Sequence, residues 1–153
     1  MSIRRLEKAE RRPLSANCDG PEHPSDEMNF RNFSEALCSV ALEDLEVAKL
    51  RYRQHMDPVR CAVCISLVLR HLASELYGER RVLRIRGVRW LNFLVRTSSE
   101  RTFQPHVIET MSAALYAEPS NYELPRDCGF WFQAAERWIR DQAEKPAHIT
   151  VAG

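Results

Sequence analysis

The stretch DPVRCAVCISLVLRHLASELYG, residues 57–78, decides the fold of this chain. Asp57 suits the N-cap of a helix, and Pro58 suits its first position, where the missing N–H costs no hydrogen bond. The run that follows is apolar on nearly every side, which is typical of the central helix of a bundle. Gly78 favours a helix end, because glycine readily adopts the backbone conformation of a C-terminal cap. We therefore expect a buried central helix over residues 58–77. Its mostly buried side chains should be Ala62, Val63, Ile65, Leu67, Val68 and Leu69.

Helical periodicity also marks the sequence on both sides of this helix. A first helix is expected over about residues 32–56, with a cap at Asn32 or Ser34. Its apolar stripe comprises Cys38, Leu42, Leu45, Ala48, Tyr52 and Met56. Further helices should begin near Arg86 and at Pro105. The last helix should follow a cap at Asp127 and run to Lys145 and Pro146. Residues 81–86 partly alternate, which indicates a short irregular or strand-like segment. The prediction is an all-α, single compact domain of about five helices.

Composition and charge indicate a soluble protein in a reducing compartment. The chain has 153 residues, 22 basic and 21 acidic side chains and a net charge of +1, which does not indicate a globally basic nucleic-acid binder. No apolar run approaches the roughly 18 residues of a membrane span, and the N-terminus has no apolar core of a signal peptide. Five cysteines without a secreted framework spacing should be thiols. We expect a flexible charged tail over residues 1–28, a helical domain over 29–146, a frayed end over 147–153, and a cytoplasmic location.

An arginine cluster is the largest local charge asymmetry outside this predicted tail. The segment from Gly78 to Arg101 has two acids, Glu79 and Glu100, against seven arginines: Arg80, Arg81, Arg84, Arg86, Arg89, Arg96 and Arg101. On the helix near residue 90, Trp90, Leu94, Leu91, Val95 and Val88 should face inward. Arg86, Arg89, Asn92 and Arg96 should lie on the opposite arc, together with Phe93. Arg81, Arg86, Arg89, Asn92 and Arg96 could contact nucleic-acid phosphates and bases or an acidic protein partner. The alternative is a solvated face whose arginines pair with acids of the same chain.

Two further sets of residues are candidate sites. Cys61 and Cys64 lie one helical turn apart and could act as metal ligands or a redox pair. No second ligand pair stands nearby, so core packing is the favoured interpretation and no cofactor is expected. Phe130, Trp131 and Phe132 are consecutive, and one narrow helical stripe cannot bury all three. Either the helix is sandwiched, or one aromatic is exposed and available to a partner or a second copy.

The sequence carries no glycine-rich phosphate loop and no nucleophile elbow. The case for an enzyme is therefore poor. The first interpretation is a small cytoplasmic regulatory or adaptor protein that binds a protein partner, or forms a homo-oligomer, through helix faces. The second is a helical DNA-binding transcriptional regulator that uses residues 80–101. The third is a helical sensor of a metal or small ligand.

Overall fold

A computed structural model describes residues 24–99, 101–117, 124 and 128–144 of the chain. This part contains helices and no strand, which confirms the predicted all-α fold. The six helices are α1 (Pro24–His55), α2 (Pro58–Tyr77), α3 (Glu79–Leu83), α4 (Val88–Arg96), α5 (Pro105–Tyr116) and α6 (Gly129–Ala143). None of the helices in these residues is both long and apolar enough to cross a bilayer.

The second helix lies at the centre of the bundle, as its apolar sequence predicts. It packs against α1, α3, α5 and α6, and α6 also packs against α1 and α5. All six helices contribute to one hydrophobic core. The largest side chains that are fully buried there include Trp90, Trp131, Trp138, Ile65, Leu69, Leu91, Leu94 and Met111.

Both predicted ends of α2 are confirmed. The Asp57 carboxylate accepts hydrogen bonds from the backbone N–H groups of Val59 and Arg60, at 3.0 and 3.4 Å. Gly78 has a φ of +99°, a conformation that glycine adopts without steric cost, and it separates α2 from α3. Asp57 and Gly78 therefore set the two ends of α2 through hydrogen bonds and backbone conformation within a few residues of chain.

The burial predicted for α2 is partly wrong. Ala62, Ile65 and Leu69 are fully buried, and Val68 packs partly against the core. Val63 and Leu67 are instead exposed, at 42% and 60%. Although α2 is apolar on nearly every side, other helices do not cover all of its sides, and the side with Val63 and Leu67 is open to solvent.

The first helix begins earlier than predicted. It starts at Pro24, a residue that fits the first helical turn, so residues 24–28 of the predicted tail are helical. Residues 1–23, the proposed cap Asp127 and residues 145–153 lie outside the described residues. Met56 does not join the buried stripe, because α1 ends at His55; Met56 has a φ of +52° and is exposed.

The segment around residues 81–86 is helical and then irregular. Residues 79–83 form the short helix α3, and residues 84–87 form no regular structure before α4 begins at Val88. The strand-like alternative is therefore wrong, and α3 is the helix that the sequence did not predict. The helix predicted to begin at Pro105 is α5, on which Val107, Met111 and Ala114 are buried, while Ile108 and Leu115 pack partly against the core.

Candidate interaction surface

The inner face of α4 differs from the prediction. Trp90, Leu91, Phe93 and Leu94 are buried, whereas Val88 and Val95 are exposed at 56% and 42%. Four large side chains already fill the inner side of this nine-residue helix. The predicted arc was therefore rotated: Phe93 points inward, and the two valines point outward beside the arginines.

The N-terminal half of α4 is fixed on α2 by polar contacts to one tryptophan. The indole N–H of Trp90 donates to the Ser66 hydroxyl at 3.0 Å. The Arg70 guanidinium lies over the Trp90 ring, 4.3 Å from its centroid, in cation–π geometry. Phe93 stacks on Trp90 and meets Tyr77 edge-on, with ring centroids 5.6 and 5.2 Å apart. These contacts orient α4 and therefore set which of its side chains face solvent.

Arg70 also holds the chain that leads into α4. Its guanidinium donates to the carbonyl oxygens of Val82 and Ile85, at 3.1 and 2.9 Å. The Val82 carbonyl also accepts from the Ile85 N–H at 3.0 Å, so Arg70 adds a second donor there and provides a donor for the Ile85 carbonyl in the irregular link. One α2 side chain therefore fixes α3 and the irregular link.

The loop after α4 is held by a buried carboxylate of α6. Asp141 accepts hydrogen bonds from the Ser99 N–H at 2.9 Å, the Ser99 hydroxyl at 2.7 Å and the Thr102 hydroxyl at 3.0 Å. Asp141 and Thr102 are both buried. A carboxylate with three donors suits a structural role, since a buried charge requires such compensation.

A second polar network joins the C-terminal end of α4 to α6. The Tyr77 hydroxyl donates to Gln142 at 2.7 Å, and the Gln142 amide donates to the Thr97 carbonyl at 2.9 Å. The Trp138 indole N–H donates to the Thr97 hydroxyl at 2.9 Å. Both ends of α4 are therefore anchored to the bundle.

The outward side of α4 presents a mixed apolar and basic surface. We call this surface the α4 face, and it consists of Val88, Arg89, Asn92, Val95 and Arg96, all exposed. The two valines lie seven residues apart, about two helical turns, and so share one side of the helix. The α4 face therefore combines an apolar edge, formed by the two valines, with a basic edge formed by Arg89 and Arg96, and Asn92 lies between them.

The arginines around the α4 face have no internal acidic partner among the described residues. All seven arginines between residues 80 and 101, including Arg81 and Arg86, are exposed. The ion pairs in this part of the chain lie elsewhere, between Lys49 and Glu46 on α1 and between Arg140 and Glu136 on α6. None of the seven guanidinium groups pairs with a described carboxylate, so their charge faces solvent.

The three consecutive aromatics of α6 are separated by the structure. Trp131 is buried and donates its indole N–H to the Thr110 hydroxyl at 2.8 Å. Phe132 is also buried, with its ring 6.3 Å from that of Tyr52. Phe130 is 59% exposed. Of the predicted aromatic patch, the structure leaves Phe130 on the surface.

The cysteine pair of α2 lies mostly in the core. Cys61 is buried, and Cys64 is half-buried. A hydrogen bond with Cys128 and burial raise the pKa of the Cys61 thiol, which favours the neutral form over the thiolate that binds metals. Within the described residues, no group of three or more histidine, cysteine, aspartate or glutamate side chains is arranged to hold a metal ion.

Sequence reasoning did not single out Arg70, Thr97, Asp141 or Gln142, which fix the surface in place. Asp141 and Gln142 carry a weak signal, since they lie three and four residues after Trp138 and so share its buried side. Arg70 carries no such signal, because its partners lie 12 and 15 residues away along the chain.

Comparison with known proteins gives one relationship. Residues 31–141 match a family described as a domain of unknown function, DUF4381. No curated protein and no solved structure matches the chain significantly. The family match runs from Arg31 of α1 to Asp141 of α6, and so includes the α4 face and, except for Gln142, the residues that anchor it. Because it covers more than half of the 153 residues, the chain belongs to the DUF4381 family.

Proposed function

We propose that this protein is a small cytoplasmic regulatory or adaptor protein that binds an acidic protein partner through the α4 face. The observation that carries the proposal is that one helix exposes Val88 and Val95 together with arginines that form no ion pair with a described residue. Arginine is enriched in the energetic centres of protein interfaces, where apolar contacts surround it. A partner that fits would present carboxylates beside an apolar surface.

The two exposed valines favour a protein over nucleic acid. Phosphate contacts dominate affinity for a duplex, and they reward positive charge rather than exposed aliphatic side chains. A net charge of +1 also gives the whole molecule little long-range attraction to a polyanion. DNA binding through Arg89, Asn92 and Arg96 is the second candidate, because these exposed side chains share one side of α4.

Two variants separate these candidates. One replaces Arg86, Arg89 and Arg96 with glutamine, and the other replaces Val88 and Val95 with serine. All five side chains are exposed, so both proteins should keep the fold. The control replaces Arg31, Arg60 and Arg137 with glutamine. These arginines are also exposed but lie on other helices, so the control removes the same charge from elsewhere on the surface.

The probes are an acidic peptide with interleaved leucines and a random DNA duplex, titrated by fluorescence anisotropy at two salt concentrations. We expect the peptide to bind the control variant and to lose affinity in both test variants. The result that would overturn the proposal is duplex binding that falls steeply with salt, is lost only in the arginine variant and exceeds peptide binding. In that case, the log–log salt slope should fall by up to about three, near one for each phosphate contact removed.

A further inference from the structure

The outward side of α1 carries a second apolar stripe, independent of the α4 face. We call it the α1 stripe, and it consists of Phe33, Val40, Val47 and Leu50. These side chains are 54%, 52%, 47% and 55% exposed. Three of them follow at steps of seven residues, the repeat that places side chains along one seam of a coiled coil. The opposite side of α1 is buried against α2 and α6.

Charged residues of α1 are segregated along the helix, and one of them, Glu43, lies within the α1 stripe, one helical turn from Val40 and from Val47. Glu43, Asp44 and Glu46 come first, and Lys49, Arg51 and Arg53 follow. Lys49 is already engaged: its ammonium lies 3.7 Å from the Glu46 carboxylate and 5.9 Å from the centroid of the Phe132 ring. Asp44, Arg51 and Arg53 are exposed and form no ion pair with a described residue. When two such helices run antiparallel, the acidic half of each lies beside the basic half of the other.

We propose that the α1 stripe binds a second copy of this chain, with the two α1 helices antiparallel across a two-fold axis between residues 48 and 49. In this register Val47 of each copy meets Leu50 of the other. On the flanks, Asp44 lies opposite Arg51 and Glu46 lies opposite Arg53 of the second copy. Val40 approaches the exposed Met56, which directly follows the other α1 helix, and Phe33 lies beyond the end of that helix.

The antiparallel direction follows from the charges. A parallel pair would bring Glu46 near Arg51 of the second copy but would leave Asp44 and Arg53 without an opposite charge. The antiparallel pair joins opposite charges on both sides of the stripe. It is also an isologous contact, in which the same surface of each copy closes the assembly at two chains.

The contact is modest in size, and we therefore expect a reversible dimer. The register overlaps the two helices over residues 42–55, which is roughly four turns on each copy. Contacts at the small end of the size range are typically transient. Sedimentation equilibrium of the full chain across micromolar to millimolar concentration should reveal a monomer–dimer equilibrium that weakens as salt rises.

Charge reversal tests the register directly. Asp44→Arg alone places two cations together, and Arg51→Asp alone places two anions together, so each variant should dissociate at least tenfold more readily. The double variant restores opposite charges in the antiparallel register, and its dimerisation should recover. Glu109→Arg, an exposed reversal on α5, is the matched control and should dimerise as the natural chain does.

Circular dichroism checks that each variant keeps its helix content. A chain that is monomeric at every concentration would overturn the proposal, whether another protein or residues 1–23 cover the stripe. A dimer that survives both single reversals, or a double variant that does not recover, would overturn it as well. The glutamine variant of Arg86, Arg89 and Arg96 should leave the dimer intact, which separates this proposal from the function proposed for the α4 face.

Discussion

Two leucines of α2, two residues apart, experience opposite environments. Leu69 is fully buried, and Leu67 is 60% exposed. Leu69→Ala should lower the free energy of unfolding by about 2–5 kcal/mol, because it removes buried methyl groups and leaves a cavity. Leu67→Ala is the matched control and should change it by less than about 0.5 kcal/mol, as surface substitutions do.

Urea unfolding followed by circular dichroism measures both variants. Equal midpoints for the two proteins would contradict the orientation of α2 in the bundle. The pair also marks a limit of the sequence. Both leucines stand in one continuous apolar run, and only the packing of α1, α5 and α6 distinguishes them. Helical periodicity predicts which side chains are buried when polar residues mark the solvent side of a helix. In this run no polar residues mark that side.

At the scale of elements, one side chain holds two segments in place. Arg70 donates to the carbonyls of Val82 and Ile85 and stacks on Trp90. Arg70→Met keeps much of the aliphatic stem and removes the guanidinium, so the Ile85 carbonyl loses its Arg70 donor while the Val82 carbonyl keeps the Ile85 N–H. We expect a loss of about 1–3 kcal/mol, the usual range for a partly buried polar group left unsatisfied.

Hydrogen exchange locates this effect. Amides of α3 and α4 should exchange faster in Arg70→Met, while those of α1 and α6 should change little. Arg60→Met, an exposed substitution on the same helix, is the control. Uniform acceleration across all helices would show that Arg70 supports global stability rather than the position of α3 and α4.

The elements also show why the sequence predicted some helices well and missed another. The ends of α2 depend on Asp57, Pro58 and Gly78, whose effects are local and therefore readable from the sequence. The short helix α3 depends on Arg70, which reaches it from a distance. The rotation of α4 has a similar origin, because Ser66 and Tyr77 of α2 decide which of its side chains point inward.

At the scale of the whole molecule, near-neutral charge conceals local segregation. The net charge is +1, yet the arginines near α4 and the two halves of α1 form separate charged surfaces. Exposed apolar side chains accompany the charge in both places. Dimerisation through α1 would present two α4 faces, and the binding of a two-site partner would then gain from a raised effective concentration. Regulation by assembly is consistent with the proposed adaptor role.

The alkaline stability of the whole fold should depend on buried thiol and phenol groups. Burial, reinforced by Glu35, raises the pKa of Cys38 from 9.0 to about 11. Burial likewise raises the pKa of Tyr77, and a hydrogen bond with Cys128 together with burial raises that of Cys61. Above pH 9 the unfolded chain loses thiol protons that the folded chain retains. Stability is therefore fully present below pH 9 and is lost as pH rises towards 11, by up to about 1.4 kcal/mol per pH unit for each such group.

Urea midpoints measured from pH 7 to 10.5, under reducing conditions, test this dependence. We expect a plateau up to about pH 8.5 and a steady fall above it, since the linkage follows the proton difference between the two states. Cys38→Ala removes one of the groups and should make the fall shallower, while its midpoint at pH 7 gives the cost of the lost packing alone. A midpoint that stays level to pH 10.5, or an unchanged slope in Cys38→Ala, would mean that the Cys38 thiol titrates in the folded chain as it does in the unfolded one.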